Sequence, residues 1–293
     1  MENHVIVNFH AGRHKTKQLW HQVREDLRKT GWYLVEHETR YPGHATVLAQ
    51  EAVKQGAKRL IAVGGDGTLN EAVNGLAGSR VALGVIPTGT GNDFARSVGI
   101  SADPLQAIVQ MYTGKEQRID LGWVGERYFL NACGIGFDAQ VANLINEGFK
   151  KITGKTAYLL AAVKVFLSFR PQPVLIEVDG KIIEKKIVLV AVTNGRYYGG
   201  GIKISPRAEV DDGLLDICIV EDLSRPQFVK NFPSIYSGEH VKHPKVSLLQ
   251  GRRIVVKGNE VLKAHIDGEI NGGLPLSYSV QPGALSLLMP VNM

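Results

Sequence analysis

Residues Arg59 to Gly75 read RLIAVGGDGTLNEAVNG: an apolar strand, a Gly-Gly-Asp-Gly-Thr turn, then a helix whose first turn carries Asn70 and Glu71. Gly64, Gly65 and Gly67 can adopt backbone angles closed to other residues. Main-chain N–H groups can therefore converge where a helix N-terminus already favours an anion, which suits a phosphate chain. Asp66 is the odd member. A carboxylate among phosphate-cradling amides repels the ligand unless a divalent cation bridges them or Asp66 faces a hydroxyl, and this points to nucleotide-dependent phosphoryl transfer over passive anion binding. A second turn of the same kind follows: the buried-type strand VALGVIP runs into Thr88-Gly89-Thr90-Gly91-Asn92-Asp93 and a helix from about Phe94. Together the turns place polar side chains at the carboxyl ends of two strands, where open α/β sheets bind ligands.

Other chemistry-bearing residues are spread along the chain. Asn8, His10, Ala11, Gly12 and Arg13 follow the first strand, so backbone amides and the Arg13 guanidinium can reach the same strand-end crevice. Thr39 ends the second strand and by itself reads as an edge or cap residue. Asp93 reads either as a wall of the site or as the cap of the helix after it. Asp267-Gly268-Glu269 forms a strong hairpin signal after an apolar run. Glu209 to Asp216 (EVDDGLLD) is an acidic turn between strands.

The elements that must position these residues fall into two series. Strands at His4 to Phe9, Trp32 to Thr39, Arg59 to Val63 and Val81 to Ile86 alternate with helices at Lys15 to Lys29, His44 to Gln55, Thr68 to Leu76, Asp93 to Ser97 and Pro104 to Tyr112. That alternation predicts a parallel sheet covered on both faces. Beyond Lys115 the pattern changes to short strand-like runs: Arg118 to Val124, Arg127 to Ala132, Val174 to Val178, Lys186 to Thr193, Leu215 to Val220, Arg253 to Val256, Val261 to Ile266, Leu276 to Val280 and Ala284 to Met289. Asp179-Gly180 reads as a type I′ turn, so this second domain is mostly antiparallel β. Helical insertions are expected at Gln140 to Asn146, Thr156 to Ser168 and Pro226 to Ser237. Asn131 to Gly136 and Asn194 to Gly201 read as flexible polar loops.

Composition sets the bounds. The 293 residues are 44% hydrophobic, enough for two modest cores. The two cysteines, Cys133 and Cys218, sit in apolar strand-like stretches, which argues for buried thiols in a reducing cytosol and against a disulfide framework. No charged-then-apolar leader begins the chain, so neither a signal nor a transit peptide is expected. The longest apolar run, Ala157 to Phe169, is interrupted by Lys164 and falls short of the ~20 residues that span a bilayer. A net charge of +6 favours anionic partners, but zinc-ligand spacing, a basic-aromatic platform and a recognition helix are all missing, so nucleic acid is not expected. The nine histidines show no metal-ligand spacing. Lys150, Lys151 and Lys155 precede the apolar helix and Arg170 follows it. These residues describe either a buried helix with solvated flanks or a membrane-surface element.

GGDGTLNE followed by PTGTGNDFAR resembles the diacylglycerol kinase catalytic family, in particular its bacterial soluble lipid kinases, related also to sphingosine and ceramide kinases. The resemblance extends over most of the chain, through Asn8 to Arg13, Thr39, Asp212-Gly213-Leu214 and Asp267-Gly268-Glu269. One departure is plain: the family usually has Asn-Pro where this chain has Asn8-Phe9. The resemblance implies an α/β nucleotide-binding domain over residues 1–117 with a NAD kinase/diacylglycerol kinase-like parallel sheet, to which residues 287–293 return. It implies an antiparallel β-sandwich acceptor domain over 118–286. The implied substrates are ATP, with Mg2+, and a lipid hydroxyl, diacylglycerol foremost. Thr39 would contact the nucleotide, and Asp66 would handle the magnesium nucleotide with Gly65, Gly67, Leu69 and Glu71 around it. Thr68 and Asn70 would bond phosphate, while Thr90, Asn92 and Asp93 would form the facing wall. Glu269 would be the general base. Asp212, with the backbone carbonyls of Glu209 and Leu214, would hold a structural Mg2+ completed by water. Transient contact with anionic membranes is expected, a homodimer is admissible, and the choice between ATP and GTP is open.

Two rivals stand beside this reading. An NAD kinase shares a GGDG turn and a two-domain plan, but PTGTGNDFAR with DGE resembles the lipid branch. A non-catalytic lipid or nucleotide binder is opposed by Asp66, Asp93, Asp212 and Glu269, all of which are present.

Overall fold

The computed structural model describes residues 2–12, 14–148, 155–260 and 262–291, with side chains at 145–148 and 155–160 set aside. Two compact units form: Met1–Leu121 with Pro282–Met293, and Gly122–Gln281. The N-terminal unit contains β1 (Asn3–Val7), α1 (Lys15–Lys29), β2 (Leu34–Glu38), α2 (His44–Lys54), β3 (Arg59–Gly64), α3 (Asp66–Leu76), β4 (Ala82–Pro87), α4 (Asp93–Ser97) and α5 (Pro104–Thr113). β1 pairs in parallel with β2 and β3, and β3 with β4, as the βα alternation requires. β1 and β4 are buried at every position, which demands cover on both faces. α1 meets the sheet with Trp20, Val23 and Leu27, spaced by three and four residues on one face. α5 begins where Asp103 accepts the Leu105 amide at 2.9 Å and Pro104 takes the first turn.

The C-terminal unit is antiparallel. The chain enters it along β5 (Lys115–Val124), followed by β6 (Arg127–Phe129), β7 (Ala132–Gly136), α6 (Phe137–Gly148), α7 (Lys155–Ser168), β8 (Gln172–Val178), β9 (Lys181–Thr193) and β10 (Leu215–Glu221). Helices α8 (Arg225–Asn231) and α9 (Ser234–Ser237) come next, then β11 (Val246–Gly251), β12 (Arg253–Gly258), β13 (Lys263–Ile266), β14 (Glu269–Gly273) and β15 (Leu276–Met289). The strand order is β14-β13-β7-β9-β8-β12-β15, and β10 bridges β9 and β11. Ser286 and Leu287 of β15 then run parallel to Ala82 and Leu83 of β4. β5 and β15 are each unbroken, so the chain changes unit inside a strand, after Leu121 and after Gln281, where sequence composition leaves no mark.

Several local expectations need correction. Arg127 to Ala132 is not one strand: the amides of Leu130, Asn131 and Ala132 donate to the Asp267 carboxylate at 2.8, 3.0 and 3.0 Å, which draws this segment out of the ladder. Asn131 to Gly136 is not a polar loop, because Ala132–Gly136 is the fully buried strand β7, paired with β9 and β13. Asn194 is 1% exposed and donates from its side chain to the Leu130 carbonyl at 3.2 Å. Leu276 to Met289 is one strand where two were expected. β11 and β14 escape the sequence pattern, since VSLLQG lacks alternation and EINGG is short and glycine-rich.

The turn Asp179-Gly180 has φ of 47° and 85°, positive at both corners as type I′ requires. Its carboxylate accepts the Arg253 amide at 2.8 Å. Both cysteines are buried free thiols; burial pushes Cys218 up to about 12 and Cys133 well up, which leaves them unreactive. α7 packs Ala161, Ala162, Val165 and Phe166 into the apolar core and leaves Lys164 exposed. Lys150 and Lys151 lie outside the described residues, as does the Lys155 side chain. Among the described residues no helix is long and apolar enough to cross a membrane.

Candidate nucleotide and acceptor sites

Parallel register fixes where the strands of the N-terminal unit stop. Glu38 lies opposite Val7, Val7 opposite Val63, and Gly64 opposite Pro87. Thr39, Asn8, Gly65 and Thr88 therefore follow one another along the carboxyl edge of one sheet, where ligands of such folds bind. Hydrogen bonds stitch this edge together. Asn8 donates from Nδ2 to Thr68 Oγ1 at 2.8 Å and accepts the His10 amide at 3.0 Å, while its carbonyl takes the Ala11 amide at 3.1 Å. The amide of buried Thr39 donates to the Val7 carbonyl at 3.0 Å. Gly12 has φ +59°, and a Cβ there would stand 2.1 Å from the Thr88 carbonyl oxygen, so only glycine lets the first loop lie against the second turn. The hydroxyls of Thr16 and Thr88 meet at 2.6 Å beneath it. Phe9, where the family usually has proline, packs edge-on against Trp20 with centroids 6.4 Å apart. Arg13 lies outside the described residues.

The two glycine turns touch backbone to backbone. A Cβ on Gly89 would fall 2.5 Å from Gly65 Cα, and one on Gly65 would fall 3.1 Å from Gly89 Cα. Asp66 explains how a carboxylate is tolerated here: its Oδ1 accepts the Phe94 amide at 3.2 Å, so the first turn of α3 caps the start of α4. The N-cap position of α4 itself belongs to Asn92, at φ 51°, whose side chain donates to the Gly89 carbonyl at 3.1 Å. Asp93 is therefore not the cap. It is 4% exposed and paired with Arg96 at 2.7 Å, and Arg96 also donates to the Gly91 carbonyl at 3.2 Å.

The expected nucleotide set thus separates. Gly65, Gly67, Thr68, Asp66, Asn92 and exposed Thr90 lie at the turns. Leu69 turns its side chain into the core and bonds its amide to the Gly65 carbonyl at 3.0 Å. Buried Asn70 accepts from Asn74 at 2.9 Å, and the Glu71 carboxylate accepts the Ala45 amide at the start of α2 at 3.1 Å. These three support the turn from behind.

In the C-terminal unit, Asp267-Gly268 joins β13 to β14 with φ of 46° and 88° and presents Glu269 at the first position of β14. Glu269 is exposed and paired with Arg127 at 2.8 Å. Burial pushes the Asp267 carboxyl up, while its three backbone amide bonds pull the other way. Those bonds clamp the turn onto the segment before β7. A cavity of about 70 Å³ lies elsewhere in the unit, lined by Phe137, Val188, Tyr198, Ile204, Phe228 and Phe232. Asn231, His240 and His243 interrupt this apolar wall.

The acidic turn is judged by its donors. Asp212 is exposed and accepts the Leu214 amide at 2.9 Å and, through its other oxygen, the Gln250 side chain at 3.4 Å. Neighbouring Asp216 is pushed up to about 6, chiefly by burial and further by the charges of Asp212 and Glu209. Among the described residues no group of three or more His, Cys, Asp or Glu could hold a metal. A cation at this turn would rely on one carboxylate, carbonyls and water, which is magnesium's ordinary habit, and local negative charge favours it. The donor set fits Mg2+.

Comparison with known proteins decides the family. Residues 2–124 match the Diacylglycerol kinase catalytic domain, and residues 131–289 match the YegS C-terminal NAD kinase beta sandwich-like domain. A diacylglycerol kinase of Bacillus subtilis (strain 168) is 35% identical over 289 residues, 98% of this chain and 95% of the relative. The chain belongs to the diacylglycerol kinase family. Another diacylglycerol kinase, of Staphylococcus carnosus (strain TM300), is 30% identical over 94% of this family member and 90% of its own length. A solved structure from Bacillus anthracis str. Sterne superposes with a TM-score of 0.83 at 28% identity, covering 98% of this chain and 97% of that one.

Some residues of this diacylglycerol kinase family member escaped the sequence reading. Asp120 is a 3%-exposed carboxylate in β5 that accepts the Gly283 amide at 2.7 Å; a lone acid among apolar strand residues was the available signal. Arg127 gave no local signal.

Proposed function

We propose that the protein is an ATP-dependent lipid kinase that transfers the γ-phosphoryl group to a lipid hydroxyl, with diacylglycerol as acceptor and phosphatidic acid as product. The backbone contact between Gly65 and Gly89 carries this reading. It brings two strand-end turns and the N-terminus of α3 to one place, where backbone amides and the helix dipole favour a polyphosphate. The full-length likeness to diacylglycerol kinases supports the acceptor.

In this mechanism the protein does little covalent chemistry, and rate comes from placement and charge. The amides of Gly67 and Thr68 hold phosphate oxygens. Asp66, fixed by the Phe94 amide, orients the magnesium nucleotide; the bound cation supplies neutralisation of phosphate charge. Thr90 and Asn92 line the opposite wall. Glu269 receives the acceptor hydroxyl's proton late in transfer, because a carboxylate is a weak base toward an alcohol. Arg127 holds that carboxylate in one orientation before substrate arrives. The net charge of +6 favours transient contact with anionic membranes.

Incubation with γ-labelled ATP, Mg2+ and separate samples of diacylglycerol, sphingosine, phosphatidylglycerol and NAD tests the reading. Label is expected in phosphatidic acid, with turnover raised by anionic vesicles. Transfer to NAD alone, or to none of the four, overturns it; equal turnover on short-chain and vesicle-borne acceptors with and without anionic phospholipid removes the membrane contact.

A further inference from the structure

A buried polar chain runs from the helical side of the C-terminal unit to the turn that carries Glu269. Asp138, at the start of α6 and 1% exposed, accepts the Ala139 amide on Oδ1 at 2.8 Å. Its Oδ2 lies 3.1 Å from His265 Nε2 and 3.5 Å from the Tyr198 hydroxyl. The Tyr198 ring stacks on the imidazole, with centroids 5.8 Å apart and planes 14° from parallel. On the far side of the ring, the Gly268 amide donates to His265 Nδ1 at 3.3 Å. An amide can only donate, so Nδ1 is the bare nitrogen and Nε2 carries the proton toward Asp138.

The sheet leaves room for this arrangement. His265 on β13 is registered opposite Gly134 on β7. A Cβ at Gly134 would stand 1.6 Å from Asp138 Oδ2 and 2.5 Å from His265 Nε2, so any other residue would expel the pair. A buried acid and imidazole are poor sources of stability compared with apolar residues of the same volume, because desolvation offsets their attraction. What they supply is direction. Asp267 fixes the first corner of the turn through three amides, and at the second corner the Gly268 amide donates to His265.

We propose that His265, oriented by Asp138 and Tyr198, is a positioning residue for Glu269: by accepting the Gly268 amide it sets the peptide from which the catalytic carboxylate projects. This rests on the reading of Glu269 as the base. A displacement of the base by ~1 Å costs about 10²-fold in rate, which is the scale of effect available to such a residue.

Two substitutions of similar size separate the two bonds. In His265→Asn the side-chain oxygen occupies the place of Nδ1 and keeps the Gly268 bond; in His265→Gln the side-chain amide occupies the place of Nε2 and keeps only the Asp138 bond. The expected result is a kcat within about 3-fold of wild type for His265→Asn and a fall of at least ~10-fold for His265→Gln, with KM for ATP unchanged in both. Amide hydrogen exchange at Gly268 should accelerate in His265→Gln alone. Equal losses in the two variants, or wild-type kcat in His265→Gln, overturn the proposal. Glu269→Gln, assayed alongside, isolates the underlying reading: full activity there removes Glu269 as the base, whereas inactivity there with indistinguishable His265 variants removes only the positioning role. Should neither His265 variant fold, Tyr198→Phe keeps the stacked ring and deletes one bond to Asp138. Faster Gly268 exchange and a several-fold lower kcat are then expected, and unchanged exchange overturns the proposal.

Discussion

Alanine at Gly67 and at Gly89 should act in opposite ways on stability and alike on nucleotide binding. At Gly89 a new Cβ would lie 2.5 Å from Gly65 Cα and 2.8 Å from Asn92 Oδ1, and the Gly65 backbone would have to retreat by about 0.9 Å to reach the 3.4 Å of ordinary contact. Overpacking of that kind costs about 1–3 kcal/mol. For a unit of this size each kcal/mol lowers Tm by roughly 2–4 °C. At Gly67, within the first turn of α3, a Cβ meets nothing within 4 Å, and replacing glycine by alanine in a helix gains about 0.5–1 kcal/mol. If the Gly67 amide faces phosphate, however, the methyl stands in the ligand's way. Loss of one hydrogen bond to a charged group, about 1.5–3 kcal/mol, weakens ATP binding by roughly 10- to 150-fold. Scanning calorimetry and titration of a non-hydrolysable ATP analogue with Mg2+ read both quantities. Gly67→Ala should be as stable as wild type or more so, and deficient in nucleotide; Gly89→Ala should lose both stability and nucleotide. Wild-type affinity in Gly67→Ala refutes phosphate binding at this turn, and an unchanged Tm in Gly89→Ala refutes the backbone contact.

Three further outcomes are expected. Asp267→Asn turns an amide NH2 toward backbone donors, leaves buried groups unmatched and should cost about 1–3 kcal/mol, read as a lower urea midpoint; wild-type stability would show that the clamp contributes nothing. His4 and His37 lie 3.0 Å apart, and burial, with His37 for His4 and His44 for His37, lowers both from the usual 6.5. Below pH 6.5 the unfolded chain therefore binds protons more readily, so stability is full above that pH and declines as pH falls through the lowered folded values; His37→Gln should flatten the decline in a Tm profile from pH 7.5 to 5, and an unaltered slope would exclude the pair. If Asp212 holds Mg2+, chelation should remove up to about 2.7 kcal/mol at a hundredfold excess of ion over Kd in the wild type and nothing in Asp212→Ala; equal effects of chelator on both would refute the site.

The sequence is informative where glycine, proline and apolar spacing act locally. Helix α1 is legible over Lys15 to Lys29 as part of the βα alternation, and both Asp-Gly corners are legible because few residues tolerate two positive φ values in succession. The turns that face each other were legible as polar residues ending buried strands. What these residues do to one another was not. Glu71 and Asn70 carry the composition of a phosphate site, yet their partners are Ala45 and Asn74, and the bond from Phe94 to Asp66 spans 28 residues without a local trace. Asp267 looked like half of a hairpin turn, and its long-range amide clamp broke a strand more than a hundred residues earlier. His265 sat inside a strand pattern as one of nine scattered histidines; only the register with Gly134 reveals why a ring is there. Continuous strands at β5 and β15 hid the passage between units for the same reason: pairing partners, set by distant segments, decide where one core stops.

Amide hydrogen exchange in the presence and absence of an ATP analogue with Mg2+ tests most directly whether both glycine turns hold one triphosphate. Protection arising together at residues 65–68 and 88–93 is the predicted result. Protection at one turn alone, or at neither, would contradict it.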